Sequence, residues 1–103
     1  MIIRKGDASM NQEQDKVIIT VLGKDSVGII AKICTYLSGN RINILDISQT
    51  ITGGYFNMMM IADLNQSRKP FGEVADELSQ IGDEIGVRIN CQKEEIFDMM
   101  HRL

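Results

Sequence analysis

Residues 50–64 read Thr50-Ile51-Thr52-Gly53-Gly54-Tyr55-Phe56-Asn57-Met58-Met59-Met60-Ile61-Ala62-Asp63-Leu64. Phe56, Met58, Met60, Ala62 and Leu64 alternate along it, the period of a strand with one face in a core. The other face carries Tyr55, Asn57, Met59, Ile61 and Asp63. It is only partly polar and reads as a surface that something covers. Thr52-Gly53-Gly54 supplies a tight hairpin turn, because glycine reaches positive φ at little steric cost. A second strand must therefore precede the turn.

That strand spans residues 42–51. Its apolar phase runs Ile42, Ile44 and then Leu45, Ile47, Ile51, slipping by one at Ile44–Leu45. A β-bulge is predicted there, since an uncorrected slip would turn the wrong face inward. Further upstream, Ile29, Ile30, Ile33, Cys34 and Leu37 recur at helical spacing, with Asp25 or Ser26 as the N-cap and Gly39-Asn40 as the stop. Residues 23–28 form the loop into this helix, and the β-branched run of residues 17–22 is a buried strand before it. Downstream of the hairpin, Pro70 falls in the first turn of a second helix. Phe71, Val74, Ala75, Leu78, Ile81 and Ile85 mark its buried stripe, and Gly86 closes it. Val87, Ile89 and Cys91 then alternate with Arg88, Asn90 and Gln92 in a fourth strand. Residues 94–103 place Ile96, Phe97, Met100 and Leu103 on one stripe of a short third helix. Residues 1–15, polar and aperiodic after Ile3, read as a disordered arm ahead of a domain of residues 16–103.

The order βαββαβ predicts an α+β, ferredoxin-like fold. It has a four-stranded antiparallel sheet in the order 4-1-3-2, two helices on one face and the short C-terminal helix. Its uncovered face and edge strands favour a second copy of the chain as cover.

Composition removes several function classes. The 103 residues carry 11 Lys and Arg against 14 Asp and Glu, a net charge of −3, so no electrostatic grip on nucleic acid is expected. The longest apolar run, residues 58–62, is far short of the ~20 residues of a membrane span. Arg4-Lys5-Gly6-Asp7 follow Ile2 and Ile3 at once, which is not a secretion signal. Cys34 and Cys91 have neither zinc nor disulfide-framework spacing, and reduced thiols in the cytoplasm are the plain reading.

An RNA-binding sheet would need stacking aromatics on two central strands, and the first strand has none. A soft-metal carrier needs paired thiolates in the first loop, which holds no sulfur. Met58-Met59-Met60 lie on a strand and point to alternating faces, as packing requires. The single histidine, His101, sits near the C-terminus as a solvated residue. Asp25 and Asp46 converge at one end of the sheet, but two carboxylates without a pocket do not make a hydrolase. No catalytic residue, metal or cofactor is expected.

One class remains, the small-molecule sensor. Gly23-Lys24-Asp25-Ser26-Val27-Gly28-Ile29 between the first strand and helix, Asn43-Ile44 opening the second strand and Ser48-Gln49-Thr50 before the hairpin together resemble the ACT domain. The resemblance runs from about residue 17 to residue 97. Asp46-Ile47-Ser48-Gln49-Thr50 and residues 55–60 look closest to stand-alone ACT proteins. They are also similar to the ACT regions of formyltetrahydrofolate deformylases and of the glycine-cleavage-system regulator. Val27 stands where a proline is common in the family, and Asp25 where some members carry an amide.

The resemblance implies an amino acid bound between the first loop of one copy and a neighbour. Its site residues are Gly23, Asp25, Ser26, Val27, Gly28, Ile29, Asn43 and Ile44. Physically, Gly28 admits a close ligand. The first N–H groups of the helix suit a carboxylate. Asn43 offers a donor and an acceptor, and Asp25 takes the ammonium. The leading expectation is a non-catalytic, cytoplasmic regulatory module, a homodimer or higher oligomer that binds an amino acid and biases a regulated enzyme or regulator. The alternative is a ligand-free homo- or hetero-oligomerisation module.

Overall fold

The computed structural model of the chain describes residues 15–24 and 28–95. Six elements follow in order: β1 (Lys16–Lys24), α1 (Ile29–Gly39), β2 (Asn43–Thr52), β3 (Tyr55–Asp63), α2 (Phe71–Ile85) and β4 (Arg88–Lys93). They form the predicted ferredoxin-like fold, with one antiparallel sheet in the order β2-β3-β1-β4. The predicted disordered arm (but for Asp15), the capping Asp25 or Ser26, and the third helix beyond its helical Glu94 and Glu95 lie outside the described residues.

The strand alternation sorts the residues as read. Val17, Ile19 and Val21 of β1 and Phe56, Met58, Met60 and Ala62 of β3 turn inward. They meet Ile29, Ile33 and Leu37 of α1 and Val74 and Leu78 of α2 in one core. Gly53 and Gly54 both adopt positive φ, 61° and 84°, and Thr52 pairs with Tyr55 across them, as a two-residue hairpin requires. The β2–β3 register shifts between Ile44 and Asp46, leaving Leu45 as the extra residue of the expected bulge.

Four local readings are corrected. Gly23 and Lys24 belong to β1 rather than a loop, paired with Phe56 and Tyr55. A Cβ on Gly23 would lie 2.6 Å from Val87 Cγ1, so this glycine lets the strand pass close to the start of β4. The N-cap of α1 is Gly28 at φ 94°, a left-handed entry that its lack of a Cβ allows. Pro70 is the N-cap of α2, one residue ahead of the first turn. Asp15 is tied to the sheet: its N–H donates to Asp63 Oδ1 at 3.1 Å and its carboxylate accepts from Lys93 Nζ at 2.9 Å.

Two backbone features were not read from the sequence. After the helix stop at Gly39-Asn40, the left-handed conformation falls on Arg41, φ 60°, which costs a non-glycine residue about 1–2 kcal/mol. Gly82 is buried in α2, where a Cβ would meet the carbonyl oxygen of Val87 at 2.7 Å. Alanine ordinarily stabilises a helix interior by about 1 kcal/mol over glycine. Here the sign reverses, because a backbone carbonyl has no rotamer by which to move away. Gly82→Ala is expected to lower stability by about 1–2 kcal/mol, overpacking outweighing propensity, as urea unfolding would measure.

Candidate functional site

Helix α1 starts at the end of the sheet where β1 finishes. Its first internal bond runs from the Lys32 N–H to the Gly28 carbonyl at 2.9 Å, and no side chain among the described residues caps the turn. The first N–H groups have no acceptor within the helix and stand at the positive end of its dipole. A Cβ on Gly28 would meet open space, so its backbone angle, not crowding, requires glycine. The side chain of Ile29 is buried in the core, which leaves only its backbone for a ligand. Gly28 opens a groove of about 500 Å³ between α1 and α2, walled by Ala31, Lys32, Thr35, Tyr36 and Ile81.

One polar cluster ties the far side of that groove. Tyr36 Oη donates to Glu77 Oε1 at 2.7 Å, and Lys69 Nζ donates to both Glu77 oxygens at 2.8 Å. These donors hold the Glu77 carboxyl below the usual range. Burial first, and the Glu77 carboxylate second, push the Tyr36 phenol up.

Asn43 and Ile44 open β2 at the other end of the sheet. Asn43 is exposed and pairs across to Asp63. With Arg41, Ile42, Asp63, Asn65 and Gln66 it lines a cleft of about 450 Å³. Asp63 Oδ1 accepts the backbone N–H groups of Asp15 and Asn65, at 3.1 and 3.0 Å. The 11-residue helix α1 lies between Gly28 and Asn43, so they stand about 16 Å apart along its axis. A single copy does not bring them together. Gly23 faces Val87, and Asp25, Ser26 and Val27 lie outside the described residues.

β2 is the edge between these two ends. Ile44, Ile47 and Ile51 sit opposite Ala62, Met60 and Phe56, hence on the helix side of the sheet, yet are 37%, 41% and 59% exposed. The helices do not reach over them. On the opposite face Leu22, Tyr55 and Met59 are also exposed. This is the partly apolar surface expected from β3.

Other chemistries find little support in the placement. Asp46 is opposite Ile61, and Ile61 opposite Ile18, about 20 Å of strand from Lys24, the neighbour of Asp25. The expected convergence of Asp25 with Asp46 at one end of the sheet is thus corrected: the β2 hairpin sends Asp46 the other way. Phe56 is buried while Tyr55 is exposed, so they do not form one stacking platform. Met58 and Met60 are core residues and Met59 faces outward. Burial pushes the Cys91 thiol up to about 11, which keeps it protonated at neutral pH.

The family model of the ACT domain matches residues 15–92. The chain is a member of the ACT domain family. It is 61% identical to a UPF0237 protein of Bifidobacterium longum, over 86% of this chain and 99% of that one. A solved ACT domain protein from Streptococcus pneumoniae superposes with a TM-score of 0.73 at 36% identity, covering 84% of this chain and 97% of that one. The fold recurs in a formyltetrahydrofolate deformylase from Pseudomonas syringae (TM-score 0.73, 18% identity, 80% of this chain and 28% of that one). It recurs also in a putative glycine cleavage system transcriptional repressor (TM-score 0.69, 20% identity, 80% and 47%). The resemblance read from the sequence is thereby established. ACT domains are generally regulatory, bind small-molecule ligands and oligomerise. No helix among the described residues of this ACT domain is long and apolar enough to cross a membrane.

The Glu77 cluster gives a pH test of the groove wall. A carboxyl held low adds stability above its unfolded pKa and loses it as pH falls through the folded one. Glu77→Gln should therefore melt below wild type at pH 7, and the two melting curves should converge once acid has protonated Glu77.

Proposed function

We propose that this ACT domain is a non-catalytic regulatory module that binds an amino acid between two copies of itself in the cytoplasm. The observation that carries the reading is the layout of β2, an edge strand open on one side among the described residues, with the start of α1 toward one end and Asn43 at the other. A two-fold axis through the middle of β2 would set the Asn43 end of one copy against the Gly28 end of its partner, on both sides at once. The same pairing would cover Ile44, Ile47 and Ile51 and satisfy the open edge of the strand.

In this site the ligand carboxylate takes the first N–H groups of α1, from Gly28 and Ile29 onward. The amide of Asn43 contributed by the other copy, beside Ile44, completes the cradle. Asp25 takes the ammonium, and Ser26 and Val27 carry the intervening backbone. The reduced thiols Cys34 and Cys91 suit a cytoplasmic setting. The output is a change of assembly that a regulated enzyme or regulator reads.

The second reading, a ligand-free assembly module, draws on the same three exposed isoleucines, which need cover with or without a ligand. Thermal melts against the twenty amino acids separate the two. A ligand at ~100 times its dissociation constant adds about 2.7 kcal/mol. Asn43→Ala should abolish that shift while leaving the dimer intact by sedimentation. Ile47→Lys should lose both together. A mixture of Gly28→Ala and Asn43→Ala protomers should regain binding, since the mixed dimer keeps one complete site. The absence of a shift with every amino acid at millimolar concentration would leave only the assembly module.

A further inference from the structure

We propose that Arg41 makes the site selective for an amino acid with an acidic side chain. The inference rests on the amino-acid reading above and adds the class of ligand. Three observations carry it.

The first is the backbone. Arg41 holds φ 60°, anchored by its N–H to the Ser38 carbonyl at 3.2 Å and by the neighbouring Ile42 N–H to the Leu37 carbonyl at 2.9 Å. That conformation favours glycine or asparagine. The fold alone would be better served by either, and Gly39 and Asn40 stand immediately before it. An arginine kept there needs a reason in its side chain.

The second is the surroundings. Arg41 lines the 450 Å³ cleft with the neutral amides Asn43, Asn65 and Gln66 and with Asp63. Asp63 is the one carboxylate in this lining, and its Oδ1 already accepts the Asp15 and Asn65 backbone N–H groups. It serves as a tie between the ends of the strands.

The third is charge. The chain as a whole carries −3, yet this turn is basic. The Arg68 N–H donates to the Asn40 carbonyl at 3.0 Å, which sets a second arginine next to the turn. Among the described residues neither guanidinium has an ion-pair partner. A ligand whose α-carboxylate sits at the start of α1 projects its side chain toward the Asn43 end of the other copy. A guanidinium there pairs in a forked, charge-assisted way with a carboxylate and far less well with an amide or hydroxyl.

The test compares L-aspartate and L-glutamate with L-asparagine, L-glutamine and L-serine, by calorimetric titration of the full chain and its Arg41→Gly variant. The wild type should bind an acid on the order of tenfold tighter than the matching amide. Arg41→Gly should melt no lower than wild type without ligand, because it relieves the left-handed strain, and the acid-to-amide ratio should fall to about one. Amides binding as tightly as acids, or an unchanged ratio in Arg41→Gly, would overturn the selectivity while leaving the amino-acid site standing. Binding of none of the five would overturn the selectivity directly, and the melts against all twenty amino acids then decide whether the site itself survives.

Discussion

The pairing of β1 with β3 is the constraint on which the rest depends. Nine consecutive residue pairs, from Lys16–Asp63 to Lys24–Tyr55, lock the two strands and align Ile19 with Met60 and Val21 with Met58 on the buried face. Once β3 is held on one side by β1, its other side is free only for the strand joined to it by the Gly53-Gly54 turn. β2 is thereby sent to the edge, and β4 takes the remaining side of β1. The crossover α1 must return from the end of β1 to the start of β2, so the entry to the helix and the entry to the strand stand a helix length apart. The separation of Gly28 from Asn43 follows from topology and not from any side chain.

The edge strand inherits the problem this creates. Its isoleucines are in register with core residues of β3, yet two helices of 11 and 15 residues do not span four strands, and β2 is the strand left over. Exposed edges ordinarily carry charge, proline or a bulge against unwanted pairing. β2 has a bulge at Leu45 but only Asp46 as a charge, and its apolar side chains run past the bulge to Ile51. Such a strand carries little against pairing, which is what the proposed dimer uses. The bulge then serves register, restoring the phase of Ile47 and Ile51 after the slip at Ile44–Leu45.

Most of this was legible in the sequence because it is local. The hairpin lies in two adjacent glycines, the bulge in a one-residue slip of an apolar phase, and the methionines in a period of two. What stayed hidden depends on distances between elements. Gly23 next to Lys-Asp-Ser reads as a loop, and only Val87, far along the chain, shows that the strand continues through it. Gly82 looks like a weak point in a helix until the carbonyl of Val87 is seen against it. Arg41 escaped for a different reason. Gly39 and Asn40 are the residues that tolerate a left-handed turn, so the pattern points one or two positions too early, and nothing in the composition of a loop marks an arginine as strained. The residue types of the proposed site were named from the sequence and the resemblance. The division of that site between two ends of the sheet was not legible, because spacing in sequence does not reveal which end of a sheet a residue reaches.

For the proposed site, that division has a thermodynamic consequence. A site contained in one chain can fill without altering assembly. A site split between the two ends of an edge strand fills only when two copies meet, so ligand and dimer stabilise each other by the same factor. With free ligand in excess, the stabilisation of the paired state grows as the logarithm of ligand concentration. The apparent affinity for ligand in turn follows protein concentration. In the proposed dimer no hinge or moving loop is needed for this coupling, since the two-state element would be the pairing of β2 itself. A domain of this size has little core in which to store two alternative packings. A switch at its edge, as proposed, would let the buried methionines and isoleucines stay as they are while the state of assembly changes.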